Sequence, residues 1–152
     1  MDKKELSKLI DGVLASAGFV KKSMSWYRSC PDLIQVLDLQ KSNYGDLYHV
    51  NLAFAPRGLA VDGLPHPKVH KCPLQVRATA LLPPRQELER LFNLEEERPS
   101  RAEEIRCWLA DIVVPFFAQH ADVPALREAV QSGAFVRGMV DVELKQYLGI
   151  GK

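Results

Sequence analysis

The sequence predicts an α+β fold in a single domain, residues 1–152: a mainly antiparallel four-stranded sheet with an N-terminal helix and three to four C-terminal helices. Three observations predict it. Two stretches with strand patterning, 33–41 and 47–54, flank the turn cluster Ser42, Asn43, Tyr44, Gly45 and Asp46. Apolar residues recur at helical spacing between Leu6 and Leu14, and again between Ile105 and Phe117. The 152 residues are 47% hydrophobic and 26% charged, a balance that supplies one core and an ordinary solvated surface.

The hairpin over 33–54 is the strongest signal. Tyr48, Val50, Leu52 and Phe54 alternate with His49, Asn51 and Ala53, as in a strand with one face in a core. The preceding stretch starts apolar on both faces, with Leu33, Leu37 and Leu39 on one and Ile34 and Val36 on the other, which suits a central strand. A four-residue loop from Ser42 to Gly45 sets Leu37 and Leu39 beside Val50 and Tyr48. It also sets Asp38 beside His49 and Val36 beside Asn51. A five-residue loop mixes polar and apolar side chains on both faces, so the pattern favours the shorter one.

The remaining elements follow in order. Asp2 and Glu5 resemble a capping box ahead of Leu6, Leu9, Ile10, Val13 and Leu14, and Gly18 stops that helix. Residues 19–29 read as one strand, with Val20, Met24 and Trp26 on one face and Ser23, Ser25 and Tyr27 on the other. Pro31 and Asp32 make the turn into the central strand. The stretch 55–71 holds Pro56, Gly58, Gly63, Pro65 and Pro67, a long irregular loop of the kind that is often functional or mobile. Leu74, Val76, Ala78 and Ala80 alternate with Gln75, Arg77 and Thr79 as a fourth strand. Pro83 and Pro84 end the sheet, and 85–94 reads as a short helix with Leu88, Leu91 and Phe92 inward. Ser100 and Glu103 form a second capping box before the stripe Ile105, Trp108, Leu109, Ile112, Val113, Phe116 and Phe117, with a kink expected at Pro115. Asp122 with Pro124 opens a helix that ends near Gly133, and a last short helix over 142–148 stops at Gly149.

Gly18-Phe19, the aromatic pair Trp26-Tyr27, Gln40-Lys41-Ser42 and Tyr48-His49-Val50-Asn51-Leu52 follow one another here in a set order. In that order the chain resembles the uncharacterised bacterial family of domain of unknown function number 4304, most strongly from Gly18 to Phe54. The resemblance implies an α+β fold and supplies no catalytic residue.

Several function classes are excluded or disfavoured. No apolar run has the length of a membrane span, so no membrane role is expected. The N-terminus leads straight into an amphipathic pattern without a secretory h-region, and Cys30, Cys72 and Cys107 are odd in number and widely spaced. Together these predict a cytoplasmic protein. Residues 1–85 hold 12 Lys/Arg against 7 Asp/Glu, and residues 86–152 hold 8 against 12. That asymmetry reads as attraction between the halves, since nucleic-acid domains carry denser basic clusters. There is no phosphate loop, no dinucleotide glycine pattern and no paired-carboxylate motif, and no cofactor is expected.

The outward sheet face carries the functional expectation. Its mixture of amides, hydroxyls and aromatics, with few Lys or Glu, suits recognition better than solvation alone. Tyr27, Asp38, Gln40, His49, Asn51 and Arg77 are the candidate binding residues, and an Asp38–His49 cross-strand pair is expected. The sequence reading is a non-enzymatic cytoplasmic binding module for another protein, of inhibitor or immunity type by fold-level analogy. The alternative is a small hydrolase or metal-assisted hydrolase centred on His49 or on His66, His70 and Cys72. Ser25, His49 and Asp38 have the residue types of a triad but no Gly-x-Ser-x-Gly elbow. His66, His70 and Cys72 lack a nearby fourth zinc ligand, so no bound metal is expected.

Overall fold

The computed structural model describes residues 1–151 and joins every strand into one antiparallel sheet in chain order. The strands are β1 (Val20–Lys22), β2 (Ser25–Ser29), β3 (Leu33–Lys41), β4 (Tyr48–Pro56), β5 (Leu74–Arg77) and β6 (Met139–Val140). The α+β class and the single sheet agree with the sequence reading; six strands replace the expected four. The stretch read as one strand over 19–29 doubles back at Ser23 and Met24, with Lys22 opposite Ser25. Ser23 takes a φ of 56°, a left-handed conformation that closes this tight turn. β6 has only two residues, too few for any period to show.

The central hairpin keeps the predicted faces but slides by two residues. Asp38 lies opposite Asn51, Leu39 opposite Val50 and Gln40 opposite His49. A two-residue slip leaves every side chain on its own face, so alternation cannot detect it. Contacts outside the hairpin decide the register. Leu47 bridges to Asn93, the Leu94 N–H donates to the Asp46 carbonyl, and the Tyr48 N–H donates to the Phe92 carbonyl. Residues 46 and 47 thereby bond to the segment 93–94 on one side, while the Leu47 carbonyl still accepts the Ser42 N–H across the hairpin. The fourth strand also ends early: after Arg77 the chain turns into α2 (Ala78–Leu81), so Thr79 lies on a helical turn.

Helices cover the face that carries Trp26, Leu37, Leu52, Phe54 and Val76. α1 (Lys3–Ser16) begins where Asp2 Oδ1 accepts the Glu5 N–H at 2.8 Å, and ends where Gly18, at φ 91°, lets the Phe19 N–H reach the Leu14 carbonyl. It buries Leu6, Ile10 and Leu14. α3 (Arg85–Leu91) stops three residues short of the predicted 85–94. The buried Arg101 guanidinium donates to the carbonyls of Arg90, Leu91, Asn93 and Glu96 and so takes over the acceptors at that helix end.

The predicted capping box at Ser100 does not form. Ser100 has φ −90° and ψ 8°, far from the extended conformation of an N-cap, and its hydroxyl donates to Glu104 instead. The helix of residues 101–119 consists of α4 (Arg101–Trp108), a widened turn (Leu109–Val113) and α5 (Val114–Gln119). In the widened turn the Val114 N–H reaches back five residues to Leu109. This is how the backbone absorbs Pro115, which has no N–H to donate. Gln35, fully buried, donates to the carbonyls of Phe117 at 2.7 Å and His120 at 2.9 Å and accepts from Arg28, pinning the end of that helix to the sheet. α6 (Val123–Gln131) and α7 (Val142–Tyr147) end at Gly133 and Gly149, both at positive φ, as the sequence predicts.

The long irregular segment over 57–72 lies across the other sheet face. Val61, Leu64 and Val69 pack on Tyr27, Ile34, Val36, Ala53, Ala55 and Cys72, a second small core. The segment therefore acts as a strap over part of the sheet.

Candidate functional site

The outward face changes character between two adjacent rows of paired residues. One row runs Tyr27, Val36, Ala53 and then Gln75 on β5, and the next runs Ser25, Asp38, Asn51, Arg77. The apolar row is under the strap. Beyond it, Gln40 and Arg77 are exposed, and Asp38 and His49 are half-buried.

The polar row is tied together by its own side chains. The Ser25 hydroxyl donates to Asp38 Oδ1 at 2.7 Å. Asn51 Nδ2 donates to Asp38 Oδ2 at 3.3 Å and to Gln40 Oε1 at 2.9 Å. These bonds fix rotamers before any ligand arrives and satisfy the Asp38 carboxylate internally. His49 sits opposite Gln40, and its pKa is lowered first by burial and then by the Arg77 guanidinium, with Glu89 pulling weakly the other way. The imidazole is accordingly neutral at neutral pH.

Two concavities meet at Arg77. A pocket of about 160 Å³ lies between β4, α2 and α3, lined by Tyr48, His49, Arg77, Thr79, Glu89 and Phe92 among others. A shallower groove of about 480 Å³ runs along the other side of Arg77, past Gln40, Asn51, His70, Gln75 and Arg137.

Five of the six sequence candidates, Asp38, Gln40, His49, Asn51 and Arg77, converge on this region. Tyr27 does not join the open part. It is 7% exposed, and the His66 ring meets it edge-on at 5.0 Å. Burial raises its phenol pKa above the ordinary value. The expected Asp38–His49 pair is absent because of the two-residue slide: Asp38 is bonded to Ser25 and Asn51, and His49 bonds to neither Ser25 nor Asp38. Ser25 thus has a carboxylate beside it but no imidazole, and the triad arrangement does not form.

His66, His70 and Cys72 do not form a ligand set. Cys72 is 1% exposed, its thiol reaches the Lys68 carbonyl at 3.6 Å, and burial with the nearby Asp38 charge pushes its pKa up to about 12. His66 packs on Tyr27 and His70 faces the groove. Among the described residues, no three His, Cys, Asp or Glu side chains converge on a metal position. No sequence signal marked Arg137 and Met139, which β6 and the turn before it bring to the groove rim.

A family model described as Domain of unknown function (DUF4304) matches residues 10–119. The chain belongs to the DUF4304 family. In this DUF4304 protein the matched segment takes in β1 to β5, the strap and the helix over 101–119, whereas α6, β6 and α7 lie beyond it. The Ser25–Asp38–Asn51–Gln40 network is therefore inside the match and Arg137 outside it. No curated protein and no solved structure matches the chain significantly. No described helix is long and apolar enough to cross a membrane.

Proposed function

We propose that this DUF4304 protein is a non-enzymatic binding module of the bacterial cytoplasm, and that the open half of its outward sheet face recognises another protein. One observation carries the reading. The strap covers the apolar rows of that face, and beyond them the exposed Gln40 and Arg77 and the half-buried Asp38 surround a buried Asn51 that bonds Gln40 and Asp38. Surfaces that serve only solvation need mobile, well-hydrated charges. A row held by mutual hydrogen bonds loses less side-chain freedom on binding, and Arg beside fixed polar groups is a common interface anchor. An inhibitor or immunity-type role follows by fold-level analogy alone.

The test is capture of a partner from the native organism with wild-type protein and with Gln40→Ala/Arg77→Ala. Both side chains are exposed, so the double variant should melt as wild type does and lose the partner. A folded double variant that retains the partner undiminished would sink the proposal.

A further inference from the structure

We propose that the groove beside Arg77 is an acid-reading subsite, in which Arg77 and Arg137 take Asp or Glu carboxylates from an acidic segment of the protein partner. This rests on the recognition reading above and names its chemistry. Neither guanidinium makes an ion pair or hydrogen bond to any described residue. Arg28, Arg57, Arg90, Arg98, Arg101, Arg106 and Arg127 all have acceptors, and among the described residues only Arg85 shares the unpartnered condition. Two of the three unpartnered arginines line one groove.

That groove contains no Asp or Glu among its lining residues. The carboxylate of the polar row, Asp38, bonds Ser25 and Asn51 and makes no ion pair with either arginine. Gln40, Asn51 and Gln75 add neutral amides to the same lining. Planar guanidinium forks match carboxylates two bonds at a time, and amides beside them can bond the neighbouring main chain. The groove opens along the sheet instead of enclosing a ligand, which suits a length of chain. A phosphate would find less here. Such groups are usually cradled by backbone N–H donors at helix N-termini or nests, whereas the donors of β4 and β5 are committed to the ladder.

A second basic area, lined by Lys3, Lys4, Lys8 and Lys21, lies between α1 and β1. Its ammonium groups are hydrated point charges without a bidentate fork. It is the natural competitor for any acidic probe, and the experiment must separate the two.

The experiment uses the full-length chain and a fluorescein-labelled oligoglutamate peptide at low salt, followed by anisotropy. Oligoglutamine and oligophosphoserine peptides run beside it. Oligoglutamate should bind and oligoglutamine should not. Arg77→Ala/Arg137→Ala should weaken binding about tenfold or more, and Arg77→Lys/Arg137→Lys should restore only part of it. Lys3→Ala/Lys8→Ala should leave the affinity unchanged. Bound peptide should also raise the His49 ring pKa by NMR, since it offsets the Arg77 charge that lowers it. Loss of binding in the lysine-to-alanine variant alone, or retention in the arginine variant, overturns the proposal. So does binding of phosphoserine peptide without glutamate peptide. If no acidic peptide binds while Gln40→Ala/Arg77→Ala still loses the captured partner, the acid chemistry falls and the recognition face stands. If partner capture ignores that face as well, both fall.

Discussion

The two halves of the outward sheet face are built on the same pair of strands, yet one is roofed and the other open. Ile34, Val36, Ala53 and Ala55 have no exposed surface, while Asp38 and Gln40 follow two and four residues after Val36 on the same face of β3. Burying Ile34 and Val36 is worth up to roughly 1.5–3 kcal/mol each. That return offsets part of the entropy of ordering the strap, which has few other anchors. Past Asp38 and Asn51 no such return exists, because the side chains there are already hydrogen-bonded to one another. The difference teaches that row polarity within a strand, and not the strand itself, decides where this sheet is covered.

The largest effect should come from breaking the roofed half. Val36→Asp puts a charge without a partner beneath the strap, a cost comparable with the whole ~5–15 kcal/mol stability of a domain. We expect no cooperative urea transition, whereas Gln40→Asp, on the open side, keeps one. A normal transition for Val36→Asp would mean that the strap does not close over β3.

A buried polar group on the helix-covered face sets the next scale. Gln35→Ala leaves the His120 carbonyl and the Arg28 Nε–H without their partner and the Phe117 carbonyl with only the His120 N–H. Each stranded buried group costs ~1–3 kcal/mol, and the urea midpoint should fall accordingly. Loosening the strap should cost less. Leu64→Ala should lose about 1–2 kcal/mol and speed alkylation of Cys72, whose thiol is buried with a pKa near 12. Cys107 is exposed and should label first in every variant. Unchanged Cys72 labelling in Leu64→Ala would show that the strap opens without reference to that anchor.

The smallest effects belong to the open half. Arg77→Ala should change stability by less than ~0.5 kcal/mol while raising the His49 pKa, read by NMR titration. The sign for wild type follows from linkage. A lowered folded-state value means that the neutral imidazole is favoured by folding. The contribution is fully present above the ordinary value of 6.5 and is lost as pH falls through the lowered one. An unmoved His49 pKa in Arg77→Ala would separate the two side chains.

Much of this was legible in the sequence, and the misses have physical causes. Alternation in 33–41 and 48–54 placed the faces correctly, because period two is a property of the backbone. It could not place the register, since a slip of two is invisible to it and the deciding bonds come from Phe92 and Leu94, far along the chain. Capping signals at Asp2 and Asp122 hold, while Ser100 fails because its backbone is not extended. The outward positions of Asp38, Gln40, His49, Asn51 and Arg77 were readable from the alternation. Tyr27 was misplaced because the 55–71 loop shows no periodicity, so nothing announced that it would fold back over the sheet. Arg137 was unreadable for a similar reason: a two-residue strand leaves no pattern.

The most direct test of the central claim, that the open row is the working surface and the strap its boundary, is a hydrogen-exchange footprint with the captured partner. Partner binding should slow exchange over residues 38–41, 49–51 and 75–79 and leave the part of the strap away from the groove, residues 57–68, as it is in the free protein. Protection confined to the strap, or to the helices on the far side of the sheet, would contradict the account.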